Sequence, residues 1–305
     1  MREILVVKQF VDLHVHTTAS DGIESPTQVV SKAHELGLAG IAITDHDTTH
    51  GVDEGVRVGT NLGIEVVPGV EISCKWLDHR IHLLGFYIDT MDTGLRSLLE
   101  WMQAGREARL PKMLARLKAL GIDIDQQEVE AEAAGESTGR PHLARVLVRN
   151  GVVSSLEEAF DKYLAFGRPA YAERPRPTIA EGIQAILDAK GLPVIAHPLT
   201  VNLSPRELIS PLVKQGLQGI EVYYPWQDVT GQPPEWYATI DSQLALLDEL
   251  AEEFELILTG GSDYHGLVPG KADLGSIPVP VSRLESLQQR YKTLFGKLPS
   301  TSKPA

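Results

Sequence analysis

Six histidines occur with acidic residues in short motifs, most of them at the end of an apolar run, and these side chains could bind metal ions. The motifs are Asp12-Leu13-His14-Val15-His16, Thr44-Asp45-His46-Asp47, Gly69-Val70-Glu71, Ile81-His82-Leu83, Ala196-His197-Pro198 and Ser262-Asp263-Tyr264-His265, with Asp21 in the loop after the first. Imidazole and carboxylate without thiolate suit borderline or hard divalent ions such as Zn²⁺, Mn²⁺ or Fe²⁺. The chemistry that such ions most readily support is hydrolysis by a metal-bound hydroxide. The metal-bound hydroxide is predicted to be the reacting group, and no side chain is predicted to take part in catalysis besides it.

The spacing of His14 and His16 places both side chains on the same side of a strand, which suits two ligands of one metal. Two polar residues on a solvent-facing edge are the alternative, and this motif alone does not decide between them. The other motifs favour ligands, because most of them follow predicted strands, and such strand ends converge on one face of a (β/α) barrel. His82 lies inside a strand-like run, so a core histidine is the alternative there. Asp45 and Asp47 are predicted to orient neighbouring groups rather than to bind metal.

The elements that must position these residues follow a βαβ rhythm, which is typical of a parallel sheet or barrel covered by helices. Between Thr93 and Phe166 the strand-like runs stop and helical patterns dominate, which indicates an all-helical insertion. The predicted strands are Val11–Val15, Ala39–Thr44, Ile64–Val70, His79–Ile88, Pro193–His197, Gly219–Tyr223 and Leu256–Thr259.

Composition limits the possible partners. The chain has 305 residues and a formal net charge of −13, which argues against an extended basic surface for long duplex nucleic acids. The single cysteine, Cys74, excludes an internal disulfide and is expected to pack in the interior. The apolar run in Met1–Phe10 is too short for a signal peptide, and no stretch approaches the ~20 apolar residues of a membrane span. We therefore expect a cytoplasmic protein without a membrane partner.

The ligand-type positions His14-x-His16, Asp21, His46, Glu71, His82, His197 and Asp263-x-His265 resemble, in order, the motif set of the PHP (polymerase and histidinol phosphatase) family. The resemblance spans Val11 to about Gly266. It implies an α/β protein with a distorted (β/α)₇ barrel formed by residues 10–92 and 171–290, and a helical insertion at 93–170. It also implies a trinuclear metal centre at the C-terminal mouth of the barrel.

The resemblance further implies how the ligands divide among two to three divalent ions. His14, His16, Glu71 and Asp263 would hold one ion, and Glu71 would bridge to a second ion held by His82 and His197. Asp21, His46 and His265 would hold a third. We expect manganese, with zinc or iron as alternatives.

Within the family, the helical insertion and its motif Gly139-Arg140-Pro141-His142 resemble the stand-alone phosphoesterases. These act on nucleotide 3′,5′-bisphosphates and on short 5′-phosphorylated oligoribonucleotides. The resemblance implies that Arg140 and His142 bind substrate phosphate, and Arg168 is a weaker candidate. The alternative is a surface arginine beside a histidine that caps a helix.

Three other functions remain open at this point. A histidinol-phosphate phosphatase shares the metal ligands, and a polymerase-like exonuclease activity is compatible with the same site. A non-catalytic module with a structural metal is the third, although an inactive protein would be expected to lose ligands. The resemblance favours hydrolysis of the 3′-phosphate of nucleotide bisphosphates, together with trimming of short RNA from its 5′ end.

Overall fold

A computed structural model describes residues 9–133, 139–266 and 272–299 of the protein. Most of the N-terminal segment in which no signal peptide is predicted lies outside the described residues. The chain forms two compact units, one running up to Leu98 and again from Pro177 onward, the other comprising Leu99–Arg176. The domain boundaries predicted from the sequence, 10–92, 93–170 and 171–290, remain a prediction.

The first unit is built on one eight-stranded sheet. Its spatial order is β7-β6-β5-β4-β3-β2-β1-β8, so seven strands follow each other in chain order. The strands are β1 (Phe10–Val15), β2 (Gly40–Ile43), β3 (Glu65–Trp76), β4 (His79–Phe86), β5 (Leu192–Ile195), β6 (Gly219–Tyr223), β7 (Ile257–Gly260) and β8 (Val279–Pro280).

The sheet curls into a nearly closed barrel. The backbone N–H of His16 donates to the carbonyl of Tyr264 at 2.8 Å, and Val15 forms a parallel bridge with the same residue. The chain that follows β7 thus meets the end of β1. This confirms the predicted α/β barrel.

One strand distorts the barrel, because β4 runs antiparallel to both β3 and β5 while the other neighbours among β1–β7 are parallel. Only Leu77 and Asp78 join β3 to β4, and a parallel pair would need a crossover of about a dozen residues. The prediction that the third strand ends at Val70 was wrong, because pairing with β4 extends it to Trp76. Glu71 therefore lies within a strand rather than at its end.

Helices cover the barrel and close its core. Buried side chains of β1, β2, β4 and β5 pack with Leu284 and Leu287 of the last helix. Cys74 is buried, as expected. Strand β8 and the last helix were absent from the sequence prediction. The helices of this unit include α1 (Pro26–Glu35), α2 (Val52–Leu62), the start of α3 (Thr93–Glu107), α8 (Ile179–Asp188), α9 (Pro205–Val213), α10 (Pro234–Glu253) and α11 (Val281–Phe295).

Among its described residues the second unit contains helices, turns and loops but no strand, and its core includes Met113, Leu117, Leu143 and Leu147. The long helix expected at Leu95–Ala119 is interrupted at Ala108, because the ring of Pro111 cannot continue a helix from the preceding turn. Besides the rest of α3, its helices are α4 (Arg109–Ala119), α5 (Gln126–Ala133), α6 (Arg140–Arg149) and α7 (Leu156–Ala159), which continues as a π-helix over Phe160–Leu164.

Within the described parts of the chain, none of the helices combines the length and the apolar character needed to cross a bilayer.

Candidate metal centre

The carboxylate of Glu71 lies at the centre of the candidate site. One of its oxygens, Oε2, faces three imidazoles: Nε2 of His14 at 3.3 Å, Nε2 of His16 at 3.3 Å and Nδ1 of His46 at 2.9 Å. These side chains come from β1, from its end and from the end of β2. Two stretches of the sequence therefore meet at an oxygen atom that a third stretch, β3, supplies.

The second oxygen of Glu71 faces two further imidazoles. Oε1 lies 3.0 Å from Nδ1 of His82 and 3.1 Å from Nε2 of His197. His82 is on β4 and His197 follows β5. The two oxygens thus face different sets of histidines, and a carboxylate placed in this way could contact two neighbouring ions.

Asp263 joins the first of these sets. Its Oδ1 lies 3.1 Å from Nε2 of His16 and 3.5 Å from Nε2 of His14. The Tyr224 hydroxyl donates a hydrogen bond to the other oxygen, Oδ2, at 2.8 Å. Asp263 has a positive φ of 52°, a backbone conformation that non-glycine residues rarely adopt and that is concentrated at functional sites.

Asp21 lies beside a second set of imidazoles. Its carboxylate oxygens are 3.5 Å from Nε2 of His265, 3.8 Å from Nδ1 of His16 and 4.0 Å from Nε2 of His46. The Asp21 side chain is 48% exposed, whereas His14, His16 and Glu71 are fully buried. The site is therefore buried around Glu71 and exposed to solvent on the side of Asp21.

The donor atoms fit divalent ions. Within the described residues, several buried nitrogen and oxygen atoms of the site lie close to one another but form no hydrogen bond of acceptable geometry. Buried polar atoms without a hydrogen bond are rare enough to need a physical explanation. Ligands bound to one ion at about 2.0–2.2 Å lie roughly 3–3.5 Å apart, close to the separations found here. The unpartnered atoms at the site are Nε2 of His14, both ring nitrogens of His16, Nδ1 of His46, Nδ1 of His82 and Oε2 of Glu71.

Among the described residues, three overlapping groups could each hold an ion. His16, His46 and Glu71 each belong to two of these groups. The groups are His14, His16, Glu71 and Asp263; His46, Glu71 and His82; and His16, Asp21, His46 and His265. The first has the same members as the first predicted ligand set. The structure brings all nine predicted ligands together, while their division among ions stays a prediction.

Hydrogen bonds on the outer side orient three of the histidines. Nδ1 of His14 meets a carboxylate oxygen of Glu221 at 2.9 Å, and Nδ1 of His197 meets the hydroxyl of Thr200 at 3.1 Å. Nδ1 of His265 meets the carbonyl of Asp263 at 2.7 Å. With Nδ1 donating outward, each ring directs the lone pair of Nε2 into the site, as a metal ligand requires.

The charges of the metal-free site are strongly coupled. Burial favours the neutral carboxyl of Glu71, but His46, His14 and His82 outweigh it and hold its pKa well below the usual value. Burial opposes charging of His16, yet Asp263 and Glu71 raise its pKa to about 10. Burial lowers the pKa of His82. Protons and metal ions therefore compete for the same nitrogen atoms.

Asp45 and Asp47 hold the loops that carry the ligands, as their predicted orienting role requires. Asp45 accepts hydrogen bonds from the backbone N–H of Thr17 at 2.7 Å and from the hydroxyl of Ser20 at 2.6 Å. Asp47 accepts from the backbone N–H of Ser73 at 2.7 Å. The first loop leads to Asp21, and the second contact lies on the strand that carries Glu71.

Sequence reasoning missed Glu221 and Tyr224. Glu221 is fully buried in β6, although the strand sequence Gly219-Ile-Glu-Val-Tyr is otherwise apolar or aromatic. A charged residue inside a buried strand is rare unless it is paired, so that isolated glutamate was the available signal. Tyr224 offered no comparable signal.

The predicted substrate ligands Arg140, His142 and Arg168 belong to the helical unit. Arg140 is the first residue of α6; its guanidinium donates to the carbonyl of Leu164 at 3.3 Å and lies 5.6 Å from the Phe160 ring centre. Nδ1 of His142 accepts a hydrogen bond from the backbone N–H of Gly139 at 3.0 Å. His142 thus caps the helix, as the alternative interpretation expected. Arg168 is exposed.

Comparison with known proteins gives consistent matches. A family model described as PHP domain matches residues 12–170. The chain is 37% identical to a 5′-3′ exoribonuclease of Haemophilus influenzae over 83% of this chain and 89% of the relative. It is 33% identical to a 3′,5′-nucleoside bisphosphate phosphatase of Chromobacterium violaceum over 87% of this chain and 90% of that protein.

Among solved structures, a protein of Bifidobacterium adolescentis assigned as a metal-dependent phosphoesterase superposes with a TM-score of 0.71. The two sequences are 33% identical, and the match covers 92% of this chain and 96% of the other. The likeness therefore extends over both units.

Proposed function

Because the chain belongs to the PHP family and is a metal-dependent phosphoesterase, we propose that it removes the 3′-phosphate from nucleotide 3′,5′-bisphosphates. We propose further that it trims short 5′-phosphorylated RNA from the 5′ end. Relatives that share about a third of the sequence over most of the chain are named for these two activities.

The observation that carries the proposal is the position of Glu71 among five imidazoles. Its two oxygens lie 2.9–3.3 Å from ring nitrogens of His14, His16, His46, His82 and His197. A carboxylate in such surroundings suits closely spaced cations, and a phosphate ester is a substrate whose negative charge such cations would neutralise.

The proposed metal ligands are the nine residues expected from the sequence, with two to three divalent ions per chain and manganese as the first candidate. The set is His14, His16, Asp21, His46, Glu71, His82, Asp263, His197 and His265. When bound, such ions lower the pKa of water and offset the charge of phosphoryl oxygens.

The protein's own residues would then orient the ligands and bind the substrate. Glu71 would fix the spacing of neighbouring ions, and Tyr224 would hold Asp263 through its hydrogen bond to Oδ2. We propose that Arg140, His142 and Arg168 contribute to phosphate binding, since a guanidinium can donate two hydrogen bonds to one phosphate. Support for Arg140 comes from its motif at a helix N-terminus, which is an anion-binding environment.

The alternative substrate, histidinol phosphate, is less favoured, because the relatives named above act on nucleotide bisphosphates or on RNA. A non-catalytic module would leave the proposed metal ligands, most of them buried or half-buried, without a chemical purpose. The nucleotide assignment is therefore the one to test first.

The decisive assay compares adenosine 3′,5′-bisphosphate, a short RNA with a 5′-phosphate, and histidinol phosphate as substrates of the same preparation. We expect phosphate release from the first, shortening of the second and little turnover of the third. Chelation should abolish activity, manganese should restore it, and elemental analysis should find two to three ions per chain. Preferred turnover of histidinol phosphate would overturn the proposal.

A further inference from the structure

We propose that Glu221 is a positioning residue that couples two parts of the metal centre from its outer side. This inference rests on the proposed metal site, because it concerns the orientation of two of its ligands. Glu221 lies on β6, is 0% exposed and belongs to none of the three groups of described residues that could hold an ion. A buried carboxylate is costly unless it is hydrogen-bonded.

Both oxygens of Glu221 are engaged, each by a different histidine. Oε1 lies 2.9 Å from Nδ1 of His14, and Oε2 accepts the backbone N–H of His197 at 2.7 Å. His14 contributes to the group around Oε2 of Glu71, whereas His197 lies against Oε1 of Glu71. Glu221 thus joins from outside the same two sets of ligands that Glu71 joins from inside.

The contact with His14 determines which ring nitrogen faces the metal. A carboxylate can only accept a hydrogen bond, so Nδ1 of His14 must carry the proton. In the neutral ring, Nε2, which points at Glu71 and Asp263, then presents its lone pair to the site. Glu221 therefore selects the metal-binding tautomer of His14.

The contact with His197 supports an unusual backbone conformation. His197 has a φ of 27°, which non-glycine residues rarely adopt, and the strand has already ended at Ile195. The hydrogen bond from its N–H to Glu221 fixes the backbone at this point, and the Thr200 hydroxyl fixes the ring. Loss of Glu221 would release both histidines together.

The informative substitution is Glu221→Gln, which keeps the shape of the side chain. The amide oxygen can still accept one hydrogen bond, but the NH₂ group can only donate. Directed at His14, it favours the tautomer with the proton on Nε2, where that proton blocks a metal. The matched control is Glu65→Gln on β3, a partly buried carboxylate that accepts hydrogen bonds from Tyr87 and Gln288.

The test measures Mn²⁺ affinity by competition with a chelator, and stoichiometry at saturating metal. We expect Glu221→Gln to weaken binding about ten- to hundredfold, which is typical for loss of an outer partner of a metal-bound histidine. The number of ions at saturation should not change, and Glu65→Gln should bind like the wild type. Circular dichroism checks that each variant is folded.

Each remaining outcome has a defined meaning. Unchanged Mn²⁺ affinity in Glu221→Gln would overturn the positioning role, and loss of an ion at saturation would show that Glu221 is itself a ligand. Wild-type protein that binds no Mn²⁺, Zn²⁺ or Fe²⁺ would refute the metal centre itself. The Mn²⁺ affinity of Glu221→Gln thus tests the role of Glu221, whereas metal binding by the wild type tests the metal centre.

Discussion

Oε1 of Glu71 lies 3.1 Å from Nε2 of His197, although 126 residues separate the two in the chain. Glu71 belongs to β3 and His197 follows β5, and the whole helical unit lies between them in sequence. The antiparallel strand β4 pairs with both β3 and β5, which brings the two side chains to the same part of the barrel. The metal centre therefore depends on the barrel being completed after the insertion.

Replacing Glu71 by glutamine should disrupt the centre more than any outer change. The amide keeps the size of the side chain but removes the charge that faces five imidazoles. We expect loss of at least one bound ion and a loss of turnover beyond the roughly ten- to hundredfold typical of an outer hydrogen bond. Elemental analysis and phosphate-release assays measure both, and Glu65→Gln on the same strand is the control. Full metal content with full turnover would contradict the bridging role.

Asp21 allows a test of a separate third ion. Its side chain is half exposed and lies near His46 and His265. We expect Asp21→Ala to lower turnover by roughly two orders of magnitude, because Lewis-acid stabilisation is worth several kcal/mol. The other two ions should stay bound. Asp188→Ala, at the end of α8, provides an exposed aspartate for comparison. Loss of all metal, or unchanged turnover, would argue against a distinct third ion.

Metal affinity should rise with pH. In the metal-free protein Asp263 and Glu71 raise the pKa of His16 to about 10, so its imidazole is protonated at neutral pH and must lose a proton to bind an ion. Affinity should therefore fall as the pH is lowered from about 10, by up to about tenfold per pH unit for each proton released. Calorimetry in two buffers of different ionisation enthalpy counts the protons. Identical apparent enthalpies in both buffers would rule out the competition.

Arg140 separates substrate recognition from chemistry. A charge-assisted hydrogen bond contributes about 1.5–3 kcal/mol, so Arg140→Ala should lower kcat/KM for a nucleotide 3′,5′-bisphosphate about ten- to hundredfold. Metal content should stay unchanged. A simple aryl phosphate, which lacks the second phosphate, should be affected much less.

The control for Arg140 is Arg149→Ala, at the other end of the same helix, where the side chain pairs with Glu132 on the surface. Equal losses on both substrates would place Arg140 at the scissile phosphate instead. No loss on either substrate would leave Arg140 with only its contacts inside the helical unit.

The sequence was sufficient to predict the barrel and the nine candidate ligand positions that the structure brings together. Strands β1, β2, β4, β5, β6 and β7 were predicted to within about two residues, because buried strands are short apolar runs with clear ends. His14 and His16 were predicted to face one side from their spacing alone, and both point at Glu71.

Local sequence could not determine the direction of β4 or the length of β3. An apolar run reads the same whether its neighbour is parallel or antiparallel, and the two-residue connection at Leu77 and Asp78 became decisive only once the strands paired. For the same reason Glu71 was placed at a strand end, whereas pairing with β4 continues the strand beyond it.

By itself, the sequence determined which residues are the candidate metal ligands, because ligand type and strand period are local properties of the chain. Only the tertiary structure decided which atoms meet: that both oxygens of Glu71 face imidazoles, and that Glu221 contacts His14 and His197 from outside. Contacts between residues far apart in sequence depend on the register and closure of the sheet. Closure of the sheet into a barrel results from the packing of all strands and helices together, so no single stretch of the chain encodes it.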